Sequence, residues 1–292
     1  MLISYSRPSP ITWSLNGTGA AFLTDSARLA NGRPTAATRI QWLSGAQTTS
    51  SVLKLRGSWV GAGTPRLKLA GLIGTTLPVG LRIVASTYSG GNWTLNPVEG
   101  TVMERADGVR VAWFRFPAVG YTADGVQFAI YNDKGVFAVI AADSNFEIGE
   151  VWAGPSEEWR IRPTVEFGTE DFSKSKLSIS GQRFTIPRRA AKTTQLEFTP
   201  VPYDSAFPGT FDSSADMTIG SFDALRARLL TFSPCVVVPI AAAPFTGATA
   251  IDQEYVNRHA QFGVATSCGP IVGEAPRFVF SARFQAPPVL LP

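Results

Sequence analysis

A chain of 292 residues that is 45% hydrophobic and only 16% charged has too much apolar side chain to stay disordered over most of its length, and is long enough for two domains with separate cores. Its net charge of +4, from 26 Lys plus Arg against 22 Asp plus Glu, is spread along the chain, whereas a nucleic-acid partner calls for a clustered basic face. No run approaches the roughly 18 apolar residues of a membrane span, so neither nucleic acid nor membrane is expected as a partner.

The 27 glycines, 21 prolines and 19 phenylalanines suit β-structure with many turns. At the start of the chain, Arg7 and several serines interrupt any apolar run, so the hydrophobic segment of a signal peptide is missing and synthesis in a cytoplasm is expected. Cys235 and Cys268 lack metal or disulfide-framework spacing, and His259 is the one histidine; no metal or cofactor is expected.

In chain order, the first half alternates apolar and polar residues over 52–55, 66–69, 79–84, 109–116, 126–131 and 136–140. That period predicts strands with one buried face. Asn132-Asp133-Lys134-Gly135 joins the last pair as a hairpin turn, because Asn, Asp and Gly tolerate positive φ. Short, closely spaced strands without a helical period predict an antiparallel β-sandwich or jelly roll over residues 1–145.

Residues 146–155, Phe-Glu-Ile-Gly-Glu-Val-Trp-Ala-Gly-Pro, stand at the midpoint and read as an interdomain hinge through Ile148, Gly149, Glu150, Trp152 and Gly154. The second half, 146–292, predicts a β-rich domain with one short helix. Residues 159–168 form an edge-like strand limited by Pro163, 169–176 a loop, 180–189 and 194–199 a strand pair, and 207–214 a turn-rich connection. The basic residues Arg183, Arg188, Arg189 and Lys192 read as a solvated strand edge. Ser221 is placed to cap a helix over 221–230 with Phe222, Leu225 and Leu229 on one stripe. A strand at 235–240, an irregular stretch over 241–275 and a strand at 278–284 complete the chain.

Catalytic chemistry finds little support. Glu147 with Glu150 and Glu157 with Glu158 are the nearest carboxylate pairs, but strand residues one or three apart face opposite sides, so neither converges as a glycosidase needs. They are expected to be solvated or paired with Arg160 and Arg162. Asp212 and Asp216 lack the remainder of a calcium loop. The expectation is no enzyme activity, with a polysaccharide hydrolase as the least favoured alternative.

Two resemblances give the function its direction. Residues 27–42, with Asn31-Gly32 and a following Thr38-x-x-x-Trp42, resemble the opening of discoidin-like, galactose-binding-like sandwiches. That implies a carbohydrate-module fold and makes Trp42, Trp59, Tyr88, Trp93 and Tyr121 the candidate sugar-binding aromatics, since flat rings cover the apolar side of a pyranose; core or interface packing is the competing reading. The phrase 148–154, the Ser180-Gly181-Gln182 step with Arg188-Arg189, and the closing Phe278-x-Phe280-x-x-x-Phe284 are similar to bacteriophage and prophage tail proteins. Membership of that group implies a distal-tail-type structural protein of a tail tip or baseplate. Copies would form a ring, trimer or hexamer, against other tail proteins and, through the sandwich, host-surface glycan. The virion is the location this implies; a carbohydrate-binding adhesin module is the alternative.

Overall fold

The computed structural model describes residues 2–5, 7–17, 19–42, 51–59, 66–105, 107–117, 120–132, 140, 144–158, 163–171, 174–177, 183–186, 190–201, 222–229, 233–239, 250–274 and 277–286. The chain opens on β1 (Leu2–Ser4), β2 (Thr12–Asn16) and β3 (Ala20–Phe22), then a 3-10 turn over Ser26–Ala30 that Asp25 caps by accepting from Ala27 N. Next come β4 (Thr38–Trp42), β5 (Ser51–Ser58), β6 (Arg66–Leu67), β7 (Leu69–Thr75), β8 (Arg82–Ser89), β9 (Asn92–Thr101), β10 (Met103–Glu104), β11 (Arg110–Arg115), β12 (Tyr121–Thr122) and β13 (Gly125–Asn132). The second half runs β14 (Ser144–Gly154), β15 (Glu157–Glu158), β16 (Thr164–Asp171), β17 (Lys174–Leu177), β18 (Arg183–Ile186) and β19 (Ala190–Val201). It closes with helix α1 (Phe222–Leu229), β20 (Pro234–Val238), helix α2 (Ala250–His259), β21 (Gln261–Cys268), β22 (Val272–Glu274) and β23 (Arg277–Gln285).

The fold is all-β with antiparallel pairing throughout the described sheets. An outer sheet, β2-β5-β13-β8-β9, faces a second sheet, β10-β11-β7-β14-β4-β3. Their inner faces share one apolar core built from Leu53, Leu55, Ile83, Phe128 and Ile130 on one side and Leu72, Phe114, Phe146 and Val151 on the other. This is the expected sandwich.

The second sheet is covered on its other face as well. Leu69, Ile73, Val111, Trp113 and Trp152 pack there against Leu2, Val236, Val238, Val256 and Phe262, which belong to the third sheet, β15-β1-β20-β21-β23-β19-β16, and to α2. The far face of the third sheet packs Phe198, Val237 and Phe280 under Phe222, Leu225 and Leu229 of α1, the helical stripe read from the sequence. Burying a strand on both faces removes the usual alternation. Hence β11, alternating in sequence, is buried from Val111 through Arg115.

Gly71 sits in the row between Trp113 of β11 and Trp152 of β14. A Cβ there would meet the Trp113 ring at 2.2 Å, so the missing side chain makes room for the indoles that join the layers.

Several expectations are corrected. The boundary at 145/146 falls inside β14, whose Ser144–Ile148 pair with β4 and whose Ile148–Gly154 pair with β7. β1, from the start of the chain, pairs with β15 and β20 in the third sheet. Residues 148–154 are therefore an interior strand instead of a hinge. Gly149 is required because a Cβ would meet Pro34 O at 2.3 Å, and Gly74 of the facing strand has φ of +64°. Phe146 and Ile148 point into the same core as Val151 and Ala153, so the side-chain phase slips by one residue around this glycine.

Residues 169–176 are strand on either side of 172–173 rather than loop. Among the described residues β18 pairs with β17, and β19 with β16 and β23, instead of with each other. The stretch 241–275 contains α2, β21 and β22. The turn beyond Asn132, the strand residues 136–139, Arg160, Arg162, the step 180–182, Arg188, Arg189, the connection 207–214, Asp212, Asp216 and Ser221 lie outside the described residues.

Candidate functional site

The central carboxylate of the midpoint phrase is wholly buried. Glu150 is 0% exposed, its Oε1 accepts from Arg7 Nη1, and its Oε2 accepts from Gly32 N at 2.9 Å. The Arg7 guanidinium also lies 5.9 Å from the Trp152 ring centroid, and Trp152 Nε1 donates to Ser4 Oγ at 2.8 Å. Four separate stretches of chain converge here: the β1–β2 link, the 3-10 turn, β14 and, through Pro234 at 2.8 Å from a Cβ on Gly32, the start of β20. Burial lifts the Glu150 carboxyl to about 7 against the opposing pull of Arg7 and the backbone N–H groups of Gly32 and Arg33. The expected partners Arg160 and Arg162 lie outside the described residues. Glu147 is exposed and does not join it, so the arrangement locks a junction and supplies no opposed pair of carboxyls. Among the described residues no group of three or more His, Cys, Asp or Glu is placed to hold a metal.

The five candidate aromatics separate. Trp42 and Trp59 are 1% and 2% exposed, inside the sandwich core, and Trp59 Nε1 donates to Ala123 O at 2.8 Å. Tyr121 is half-buried edge-on to Phe116, with centroids 6.1 Å apart. Tyr88 and Trp93 alone come together, stacked at 4.0 Å with planes 21° apart on the outer sheet. Ser89 pairs with Asn92 across Gly90 and Gly91, whose φ angles are +57° and +85°. Two positive-φ residues form the tight turn whose twist suits a hairpin, and this turn sets Tyr88 against Trp93. The sequence carries that signal in Tyr-Ser-Gly-Gly-Asn-Trp.

Sequence reasoning missed the polar half of this patch. Arg56 lies 5.0 Å from the Trp93 centroid and its Nε donates to Gln127 Oε1 at 2.8 Å. Ser86 Oγ donates to Trp93 O at 2.7 Å. Gly125 sits in a crowded spot beside the stack: a Cβ there would meet Gly57 O at 2.5 Å and the Trp93 ring at 3.3 Å, so the missing side chain lets the indole close down on the sheet.

A second feature is an arm. β16 and β19 pair from Thr164↔Glu197 to Asp171↔Ala190, and β17 and β18 form a further two-stranded ladder from Lys174↔Ile186 to Leu177↔Arg183. β19 has β23 on its other side only as far out as Thr193↔Gln285. Four consecutive residues of β16, Glu166 to Thr169, are exposed, and the apolar side chains of Phe167 and Leu177 are 53% and 72% exposed. β16 ends the third sheet, so among the described residues no strand pairs on its outer edge.

The remaining nucleophiles are quiet. Burial pushes the Cys235 thiol up to about 12 and the Cys268 thiol to about 11, and both are free. His259, 4.4 Å from Tyr255 between ring centroids, is held below its ordinary value by burial and by Arg258 and Arg105. No helix among the described residues is long and apolar enough to cross a membrane. No protein-family model, curated protein or solved structure matches the chain.

Proposed function

We propose that this protein is a structural subunit of a bacteriophage tail tip or baseplate, made in the host cytoplasm and built into the virion by association with copies of itself and with other tail proteins. The observation that carries the reading is the open β16 edge with its arm. Among the described residues, this eight-residue strand is paired on one side only, and an edge of unpaired backbone N–H and C=O groups is a template for another strand. Phe167 on β16 and Leu177 on β17 add exposed apolar area.

Charge supports joining unlike surfaces of neighbouring copies. β16 carries the exposed Glu166 and, 3.4 Å from Arg283, Glu170, whereas β17 carries the exposed Lys176. Two β16 strands laid edge to edge would oppose like charges; an acidic edge against the basic arm of the next copy would not. Such head-to-tail contacts close into rings when the rotation permits.

Mass photometry of the purified chain, followed by negative-stain imaging, tests the proposal. Trimeric or hexameric rings are expected, and a monomer persisting at high concentration would overturn the reading. An adhesin module is the second reading, favoured by the Tyr88–Trp93 stack.

A further inference from the structure

On the outer face of the sandwich, we infer that Arg56, Lys54 and the Tyr88–Trp93 stack form a binding site for an acidic glycan, one carrying a uronate-type carboxylate on a pyranose ring. The inference deepens the adhesin reading by naming a ligand class, and does not depend on ring assembly.

The face is assembled by register. Val126, Phe128 and Ile130 of β13 point into the core, so Gly125 and Gln127 point outward. Gln127 lies opposite Arg56 on β5 and opposite Ser86 on β8. A hydrogen-bonded row follows across three strands: Arg56 Nε to Gln127 Oε1 at 2.8 Å, Gln127 Nε2 to Ser86 Oγ at 3.4 Å, and Ser86 Oγ to Trp93 O at 2.7 Å. Gln127 and Ser86 are 2% and 3% exposed. Arg56 is thereby held by Nε and by the indole beneath it, and its planar fork is fixed in orientation.

What the row leaves unused decides the ligand. Among the described residues, neither the terminal nitrogens of Arg56 nor Nζ of Lys54 is paired with an acid. Lys54, two residues away on the same strand, shares the face. By contrast, Arg82 of that face is matched by Glu99 at 2.8 Å and lies 4.5 Å from the Tyr131 centroid. Among the described residues, Arg56 therefore stands against the aromatic stack without an acidic partner, and Lys54 stands one row further along the same face, opposite Ala129.

Tyr88 occupies one face of the Trp93 indole, and Arg56 is anchored on the same ring system. The aromatics accordingly serve less as a bare platform for a neutral sugar than as a support for a guanidinium fork. The fork's geometry matches a carboxylate with two parallel N–H···O bonds. Ser14, exposed opposite Arg56 on β2, adds a hydroxyl for the sugar's own hydroxyls.

Single-stranded nucleic acid also combines stacking with positive charge. It needs successive stacking rings along a basic groove, and among the described residues this face offers one stacked pair, with Arg56 and Lys54 as the cations not paired with an acid.

The test is isothermal titration of the full-length protein with oligogalacturonate, with the same oligomer fully methyl-esterified, and with oligo-thymidylate. The acid is expected to bind, with the ester at least about tenfold weaker, because a charged hydrogen-bonding partner is lost. Arg56→Gln should weaken acid binding at least about tenfold, and Trp93→Ala comparably by releasing the fork. Lys54→Gln should cost about threefold, as expected of a half-buried point charge one row away from the fork. Arg56→Lys, with an unchanged thermal melt, should bind more weakly than wild type, separating the fork from mere charge and from misfolding. Equal binding of acid and ester, indifference to Arg56→Gln, or no binding of the acid at millimolar concentration would each overturn the inference. Tighter binding of oligo-thymidylate than of oligogalacturonate would overturn it in favour of nucleic acid. Ring formation, read by mass photometry, is expected to survive Arg56→Gln, so failure here and failure of the assembly reading are distinguishable.

Discussion

Two strand edges of this molecule are treated in opposite ways. Beyond its short pairing with β10, β11 presents the backbone of Trp113 and Arg115, and helix α2 covers it: Asn257 Oδ1 accepts from Trp113 N at 2.6 Å, Gln253 Oε1 from Arg115 N at 2.8 Å, and Gln253 Nε2 donates to Trp113 O. Among the described residues, β16 has no such cover, and Phe167 beside it is exposed. Covering edges with a helix is a common protection against unwanted pairing. Among the described residues, one edge is closed by the buried Asn257 and the half-buried Gln253, and the longer β16 edge has no equivalent.

The comparison can be broken at several points. The largest effect is expected at the buried layer beneath the covered edge, where Trp113→Ala should destabilise by about 3–5 kcal/mol in chemical denaturation. Because Trp113 lies in the cluster shared by the second and third sheets, both should unfold in one transition. Separate transitions would show that the layers are independent.

Next is the junction carboxyl. The folded value of Glu150, raised to about 7 from 4.5, lies above its unfolded value, so the unfolded chain releases the proton first. Its contribution to stability is full below about pH 4.5, declines as pH rises through the window to about 7, and is flat above it, a loss of up to about 3 kcal/mol. Stability measured across pH 4–8 should show this slope, and Glu150→Gln should flatten it.

Asn257 is 3% exposed, and Asn257→Ala should cost about 1–3 kcal/mol by leaving the Trp113 amide unsatisfied, read by the same denaturation. Phe167→Ser with Leu177→Ser is at the small end: a thermal melt of the dissociated chain should move by the equivalent of less than about 0.5 kcal/mol, while the assembled state is lost.

Much of the architecture was legible because it is written in local periods. β5, β13 and β23 follow alternating runs, and α1 buries Phe222, Leu225 and Leu229 as its 3.6-residue stripe requires. What escaped the sequence depends on partners far along the chain. Glu150 meets Arg7 across 143 positions, so nothing local distinguishes a buried junction from a hinge containing two glycines. Trp42 and Trp59 look like sugar-facing rings until the opposing sheet buries them. Only Tyr88 and Trp93 had a local signature, the Gly90-Gly91 turn. α2 escaped because its polar Gln253 and Asn257, which weaken a helical pattern, are there to satisfy another element's backbone.

The most direct measurement is light scattering of the wild-type chain and the Phe167→Ser, Leu177→Ser variant over a wide concentration range. The account predicts a discrete multi-subunit species for the wild type and a monomer with an unchanged fold for the variant. A wild-type monomer throughout, or identical assemblies from both proteins, would contradict it.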